Sequence, residues 1–352
     1  MTYRISRRAL LRDGMLASGL MLGAPLLAAC GNASKVAPPK AGAIGAGSLR
    51  LFWLKDVEFA GSYIADTYGY YKAAGFSSFT LISGGPTATP VETDLVAGKA
   101  VFGISSPDLV ASAVVKGGAP IKIIGAQFQK NPFAMLSLAD KPIRTPRDMI
   151  GKKIGVQALS EPVWAAFLKA NHINPSSITK VPVQFDPSPL TNGTVDGWVA
   201  YINNEPIVLR SRGFKVHTFL FADYGYPLLG DVYVVTDTTI KEHRDAVNAF
   251  LRAQIRGWEK ALADPVLGAR LAVEKYGKNL GLTVAEQTLQ SEAQIGLVQT
   301  ADTRKNGLFT ITPELIAENI ATLKLAGINV TAGQLFDLSV LAEVYREDPS
   351  LI

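Results

Sequence analysis

The sequence predicts an α/β fold with a largely parallel sheet, followed by a helical C-terminal part. Short apolar runs rich in β-branched and aromatic residues alternate with segments that start at a proline or capping residue and often stop at glycine. Alternation of this kind favours parallel strands. After Val235 only helical periodicity remains. Because the chain has 1 cysteine, it cannot form an internal disulfide, and the core must stabilise the fold.

Short apolar segments flanked by turn residues are predicted as strands. They are residues 49–54, 79–83, 100–105, 121–127, 153–157, 180–185, 195–201 and 215–221. Long helices are predicted between residues 238 and 327. In the last of them, Thr312 is expected to cap the N terminus and Pro313 to occupy the first helical position.

Residues 1–30 have the parts of a bacterial export signal. A twin-arginine pair, Arg7 and Arg8, precedes an apolar run from Met15 to Leu27, which is shorter than the roughly 20 residues of a membrane-spanning helix. The run ends in Leu-Ala-Ala-Cys, which resembles a lipobox, so Cys30 is expected to carry a lipid anchor. A buried thiol is the alternative, but the position directly after the apolar run favours the anchor. Residues 31–48 are predicted to be a flexible linker.

Charge excludes one class of partner. Of the 35 basic and 30 acidic residues, 4 and 1 lie in the signal, which leaves 31 against 29 in the mature chain. Since the balance is nearly neutral and no Lys/Arg stripe is present, nucleic acid is not an expected partner. The predicted location is the outer face of the cytoplasmic membrane.

Several motifs carry a resemblance to a known family. They are "FWLKDVEFAGSYIADTYGYYKAAGF", "GGPTATPVETDLVAGKAVFGISS", "TPRDMIGKKIGV" and the later Asn-Glu-Pro. From about Leu49 onward the chain resembles substrate-binding proteins of ABC transporters, above all those for thiamine pyrimidine precursors, and the fungal pyrimidine synthases of the same fold. Sulfonate, nitrate and taurine binders share its turns. The resemblance implies a monomeric binding protein that captures a small aromatic heterocycle for a vitamin-importing permease, without a cofactor.

The resemblance also implies a two-lobed, type II periplasmic-binding-protein fold. Lobe 1 is expected to comprise residues 49–135 and 232–352, and lobe 2 residues 136–231. The two crossing strands are expected near 133–138 and 231–236 and would act as a hinge around the ligand.

The stretch "GWVAYINNEP" supplies the leading site residues. Trp198 and Tyr201 are three apart and face opposite sides of a strand, so we expect Tyr201 in the cleft and Trp198 in the core. Glu205, beside Asn204 and before a helix-starting proline, is expected to accept the donor edge of an aminopyrimidine. A solvated carboxylate at a helix start is the alternative that residue type alone favours.

The other candidate ligand-binding residues follow strand ends or adjoin loops. They are Trp53, Asp56, Phe59, Ser105, Ser106, Gln129 and Tyr224. Core packing, helix capping and surface turns are the alternatives at these positions. In the pyrimidine-binding relatives an Asn stands at the place of Asp56 and a His at the place of Phe59, so two polar contacts differ here.

An enzyme is the weaker interpretation. The resemblance to the fungal synthases implies a reacting histidine on the first-strand loop and a cysteine-rich iron motif, whereas His172, His217 and His243 all lie elsewhere and Cys30 is the lone cysteine. Among binding proteins, riboflavin is the second candidate ligand, because related flavin binders share the Phe-Ala-Gly and Gly-Gly-Pro turns. A sulfonate or nitrate is the third, disfavoured because Glu205 and Asp56 would repel an anion.

Replacing Cys30 by alanine is expected to leave the protein exported but no longer attached to the membrane. Replacing Arg7 and Arg8 together by lysine should retain it in the cytoplasm, since the paired arginines are the signature of that export route. Cell fractionation measures both. Unchanged membrane attachment of the first variant refutes the anchor, and unchanged export of the second refutes the route.

Overall fold

The computed structural model describes residues 42–352, so Cys30, the predicted signal and most of the predicted linker lie outside the described residues. Ten strands of this part form two sheets of five. The strands are β1 (Gly45–Arg50), β2 (Phe76–Ile82), β3 (Phe102–Ser105), β4 (Ile121–Phe128), β5 (Phe133–Leu138), β6 (Lys153–Gln157), β7 (Thr179–Val183), β8 (Gly197–Tyr201), β9 (Val216–Leu220) and β10 (Gly230–Thr236).

Each sheet is mixed rather than largely parallel, which corrects the sequence-based expectation. The first sheet has the order β2-β1-β3-β10-β4 and the second β7-β6-β8-β5-β9. β10 runs antiparallel to both of its neighbours, and so does β5. The pattern of alternating strands and helices predicts the parallel pairs but not these two strands, because their antiparallel partners lie far away in the sequence: β10 pairs with β3 and β4, and β5 with β8 and β9.

The first strand begins earlier than predicted. β1 covers Gly45–Arg50, so four residues of the predicted linker are ordered strand, whereas residues 51–54 form a loop. Small residues fit here because β2 brings bulky rings alongside: a Cβ on Gly47 would lie 2.6 Å from the Phe79 ring. Composition alone therefore places the boundary between the linker and β1 too far along the chain.

Helices cover the faces of both sheets and form the C-terminal part. They are α1 (Ala60–Thr67), α2 (Tyr70–Ala73), α3 (Val91–Val96), α4 (Pro107–Gly117), α5 (Glu161–Ala170), α6 (Ser188–Thr191), α7 (Glu205–Ser211), α8 (Asp237–Glu242), α9 (Arg244–Ala263), α10 (Pro265–Leu271), α11 (Val284–Val298), α12 (Ala301–Asn306), α13 (Pro313–Leu325), α14 (Ala332–Leu335) and α15 (Ser339–Glu347). The predicted cap is confirmed, since the Thr312 side chain accepts the Leu315 N–H at 3.3 Å. No helix among residues 42–352 is both long and apolar enough to cross a membrane.

The chain passes between the two sheets twice. It leaves the first sheet after β4 and returns to it at β10, so the second sheet lies within a single insertion. Across the junction, α7 contacts α11: the Gln290 side chain donates to Asn204 Oδ1 at 3.1 Å, and the Ser211 hydroxyl donates to Glu286 at 3.0 Å. The predicted lobe boundaries at 135/136 and 231/232, with a hinge between them, stay a prediction.

The helices α1 and α9 pack closely through two glycines. A Cβ on Gly257 of α9 would lie 2.1 Å from the carbonyl oxygen of Gly61 in α1, and a Cβ on Gly61 would meet the Trp258 ring at 2.3 Å. Only glycine permits this approach, which places Trp258 so that its indole N–H donates to Tyr233 of β10 at 3.2 Å.

Gly257→Ala is therefore expected to lower the free energy of unfolding by roughly 1–3 kcal/mol through overpacking. Gly296→Ala in α11 is the matched control, because nothing lies within 4 Å of its added Cβ, and it should raise stability by about 0.4–1 kcal/mol. Urea denaturation of both variants tests the packing. Equal effects of the two substitutions would contradict it.

Candidate functional site

A cavity lies where the loop after β1 meets the ends of β6 and β8. The space free of protein atoms amounts to about 420 Å³ when the solvent at its open mouth is included. Aromatic rings and polar groups share its wall. The lining residues are Phe52, Trp53, Glu58, Phe133, Gln157, Leu159, Ser160, Val199, Ala200, Tyr201, Asn204 and Glu205.

Glu205 is fixed by the local structure of its own strand–helix connection. It is the first residue of α7, with Pro206 next to it, as the position of the proline predicts. The Tyr201 N–H donates to Glu205 Oε2 and the Gln157 side chain donates to Oε1, both at 2.9 Å. The residue is only 4% exposed. Burial raises the pKa of its carboxyl to about 7, against the lowering effect of these hydrogen bonds.

Aromatic side chains form the apolar part of the wall. The rings of Tyr201 and Phe133 meet edge to face, with centroids 4.7 Å apart and planes at 89°, a favourable geometry. Trp198, on the other face of β8, is fully buried in a separate cluster with Leu136 and Leu209, which confirms its predicted place in the core. Phe52 and Trp53 complete the wall from the first sheet.

The loop that carries Phe52 and Trp53 depends on a glycine. The Gly84 N–H donates to the Trp53 carbonyl at 2.8 Å, and a Cβ on Gly84 would lie 2.4 Å from the Phe52 carbonyl oxygen. Any side chain at this position would separate the two loops. The glycine-rich turn after β2 thus supports the aromatic wall.

A second carboxyl, Glu58, enters the wall on a short 3-10 turn at Val57–Phe59. Amide side chains fix the backbone of this turn: Gln287 accepts the Val57 N–H at 2.7 Å, Gln294 donates to the Val57 carbonyl at 3.0 Å, and Gln127 donates to the Glu58 carbonyl at 3.1 Å. The Asp56 side chain caps the turn by accepting the Glu58 N–H at 3.0 Å. The backbone of Glu58 is therefore held in place from several sides.

Asp231, at the start of β10, lies behind Glu58. Its Oδ2 accepts the same Gln127 amide group at 3.0 Å. Its φ of +35° is a strained backbone value for a non-glycine residue, and such strain is typical of functional sites. Burial, followed by the charges of Asp231 and Asp56, raises the pKa of Glu58 well above its usual value. Burial likewise raises the pKa of Asp56 and Asp231 to about 7.

No cation balances these acids within the described chain. The ion pairs among residues 42–352 involve none of the four buried carboxyls. In the same part of the chain, no cluster of His, Cys, Asp or Glu is arranged to hold a metal ion. The arrangement offers hydrogen-bond acceptors and negative potential to a flat ligand that brings donors.

Comparison with known proteins places the chain in a family. A family model described as NMT1/THI5 like matches residues 56–267, which is more than half of the chain. The chain belongs to the NMT1/THI5-like family. Among solved structures, the periplasmic aliphatic sulphonate binding protein SsuA of Escherichia coli superposes with a TM-score of 0.62 at 16% identity, covering 82% of this chain and 92% of SsuA. That likeness confirms the predicted periplasmic-binding-protein fold.

Two curated proteins are also similar to this NMT1/THI5-like chain. It is 26% identical over 231 residues to the riboflavin-binding protein RibY of Chloroflexus aurantiacus, covering 62% of this chain and 63% of RibY. It is 22% identical over 221 residues to the formylaminopyrimidine-binding protein of Halalkalibacterium halodurans, covering 61% of this chain and 66% of that protein. The chain thus spans slightly less than two thirds of the length of these relatives.

The structure brings some of the predicted site residues together. Trp53, Tyr201, Asn204 and Glu205 lie on the cavity wall. The other predicted residues do not line this cavity. Asp56 caps the 3-10 turn and lines a neighbouring hollow, and Phe59 is fully buried. Ser105 donates to Glu92, Ser106 precedes α4, Gln129 donates to the Ala126 carbonyl at 2.9 Å, and Tyr224 packs on Phe219. Their roles in binding stay predictions.

Sequence reasoning missed other residues of this family member's cavity. Gln157 ends β6, and the rule that ligands bind at carboxyl ends of strands would have indicated it. Glu58 stands two residues from Asp56 in an apolar stretch, where a carboxylate is unusual. Phe133 and Ser160 carried no local signal, because their place depends on tertiary packing.

The raised pKa values predict that the ligand-free protein loses stability as the pH rises from 5 to 8. In this window the folded state holds protons that the unfolded state has released, so the free energy of unfolding falls with pH. For Glu205 alone, a rise from 4.5 to about 7 corresponds to about 3 kcal/mol.

Urea denaturation at pH 5, 6.5 and 8 measures this effect. Glu205→Gln should make the profile less steep, because glutamine does not titrate, while Asp56, Glu58 and Asp231 continue to do so. A free energy of unfolding that rises between pH 5 and pH 8 would contradict the prediction, because it would show that the pKa values of the buried carboxyls are not raised in the folded protein.

Proposed function

We propose that this protein is an extracytoplasmic solute-binding protein of an ABC importer and that it captures a thiamine pyrimidine precursor. The observation that supports this most is the buried carboxyl of Glu205 beside aromatic walls in one cavity. A flat heterocycle stacks on the rings and donates its N–H groups to Glu205. The ligand is then passed to a membrane permease.

The charge of the cavity argues against a sulfonate or nitrate ligand. None of the described residues on its wall is lysine, arginine or histidine. An anion there would lose its hydration and meet carboxyl groups instead of cations, which is strongly unfavourable. The similarity to the sulphonate-binding SsuA therefore extends to the fold and not to the ligand.

An aminopyrimidine fits the acceptors better than riboflavin does. Its amino group and a protonated ring nitrogen present adjacent donors, which match a carboxylate. The uracil edge of riboflavin has one N–H between two carbonyls, so Glu205 would face two acceptors. Riboflavin remains the second candidate because the relative with 26% identity is named as a riboflavin-binding protein.

The proposed role is binding without chemical change. The relatives are named as binding proteins, and none of the described cavity-lining side chains is a cysteine, histidine or lysine. His172 lies in the turn that follows α5, with φ at +54°, and does not line the cavity. The proposal includes a monomer attached through the lipid on Cys30, exported by the twin-arginine route.

Glu205→Gln is expected to weaken binding of an aminopyrimidine about 10- to 150-fold, because a charge-assisted hydrogen bond worth roughly 1.5–3 kcal/mol is lost. Riboflavin binding should suffer less, since the new amide can donate to its carbonyls. Isothermal calorimetry on the full-length protein at pH 8 measures both. Mass spectrometry of the recovered ligand should show it unaltered.

Glu161→Gln is the matched control, because Glu161 also starts a helix but pairs on the surface with Lys180 at 2.6 Å. It should leave affinity unchanged. If Glu205→Gln lowers the melting temperature of the ligand-free protein while affinity stays the same, Glu205 is a structural cap. Chemical conversion of the ligand would refute the binding-protein role.

A further inference from the structure

We infer that Glu58 is a second ligand-binding carboxyl of this cavity and that, together with Glu205, it selects a heterocycle carrying a positive charge. This inference rests on the proposed function and specifies its ligand class. It assigns a role to a side chain that neither the family resemblance nor the sequence pattern singles out.

The first support is a carboxyl whose described partner is only another acid. Glu58 lines the cavity and is only 6% exposed, and no N–H or hydroxyl of the described chain donates to its Oε1. Its side chain hydrogen-bonds instead to the Asp231 carboxyl, which requires the two groups to share a proton. Its backbone is fully used, since the N–H donates to Asp56 and the carbonyl accepts from Gln127. A buried acid pair on a cavity wall, joined by a proton that a cationic donor can replace, points to a donor that comes from outside.

The second support is the set of groups around Glu58. Asp231 behind it shares the proton with Glu58, and its Oδ2 accepts from Gln127. Asp56 and Glu205 are the remaining titratable groups whose fields reach Glu58. All three are acids, and because ionising buried carboxyls without a cation is costly, their pKa values are raised. A neutral donor would leave this cost in place, whereas a cation lowers it.

The third support is the position of the two carboxyls on opposite sheets. Glu58 follows β1 of the first sheet, and Glu205 follows β8 of the second. Two carboxylates that face one cavity repel each other, so the two groups do not readily ionise together. A cationic ligand between them favours the ionised form of both and attracts both, and its binding therefore draws the two halves of the protein together.

The experiment compares two probes that differ at one heavy atom of the side group. They are 4-amino-5-aminomethyl-2-methylpyrimidine, whose side group is an ammonium at pH 7, and its 5-hydroxymethyl counterpart, whose side group is uncharged. Calorimetry on the full-length wild-type protein should show at least about tenfold tighter binding of the cationic, aminomethyl probe. Glu58→Gln should remove most of this preference and change affinity for the hydroxymethyl probe less. Glu92→Gln is the control, because Glu92 is equally buried but bonds to Ser105 away from the cavity.

A second measurement needs only the wild-type protein. Because a cation stabilises the ionised carboxyls, binding of the cationic probe at pH 7 should release about one proton, seen as a dependence of the binding heat on the buffer. Equal affinity for both probes, an unchanged preference in Glu58→Gln, or no proton release overturns the role of Glu58 while leaving the proposed function standing. If neither probe binds the wild-type protein, the proposed function fails as well.

Discussion

Burial of carboxyl groups without cationic partners is the constraint around which this cavity is built. Taking an ionised carboxylate out of water is expensive unless it is paired and hydrogen-bonded. Asp56, Glu58, Glu205 and Asp231 are all buried, and their pKa values are raised accordingly. The surrounding amides hold these groups in place but only partly satisfy them. The ligand-free protein therefore carries an energetic cost that a suitable ligand can recover.

The fold meets this constraint with rigid supports on both sides of the cavity. In the first sheet, three glutamine side chains hold the turn at residues 57–59 by its backbone, and the Glu58 side chain takes no part in these contacts. In the second sheet, the strand–helix connection folds back until the Tyr201 N–H and Gln157 bind Glu205. A binding site keeps its geometry when the residues that contact the ligand are themselves held by hydrogen bonds to neighbouring residues.

Much of this arrangement is predictable from sequence, and the exceptions have physical causes. Tyr201, Asn204 and Glu205 were predictable because a strand, a turn and a helix-starting proline fix their relative positions within ten residues. Glu58 and Phe133 were not predictable as site residues. The position of Glu58 depends on a hydrogen bond with Gln127 and that of Phe133 on ring packing against Tyr201, and both partners lie far away in the sequence. The antiparallel position of β10 escaped prediction for the same reason. The start of β1 was misjudged because glycine and alanine suggest a linker until the Phe79 ring beside them is known.

The position of β10 also has a consequence for the order in which the chain folds during synthesis. β4 pairs in the first sheet only with β10 among the described strands, and β10 lies more than a hundred residues further along. The second sheet, by contrast, is complete once β9 has been made. Contacts between distant segments form slowly because the intervening loop must close first. The second sheet is thus able to reach its native pairing while β4 still has no strand partner on either side and β3 lacks one of its two partners. During that interval these unpaired edges are exposed to pairing with other chains.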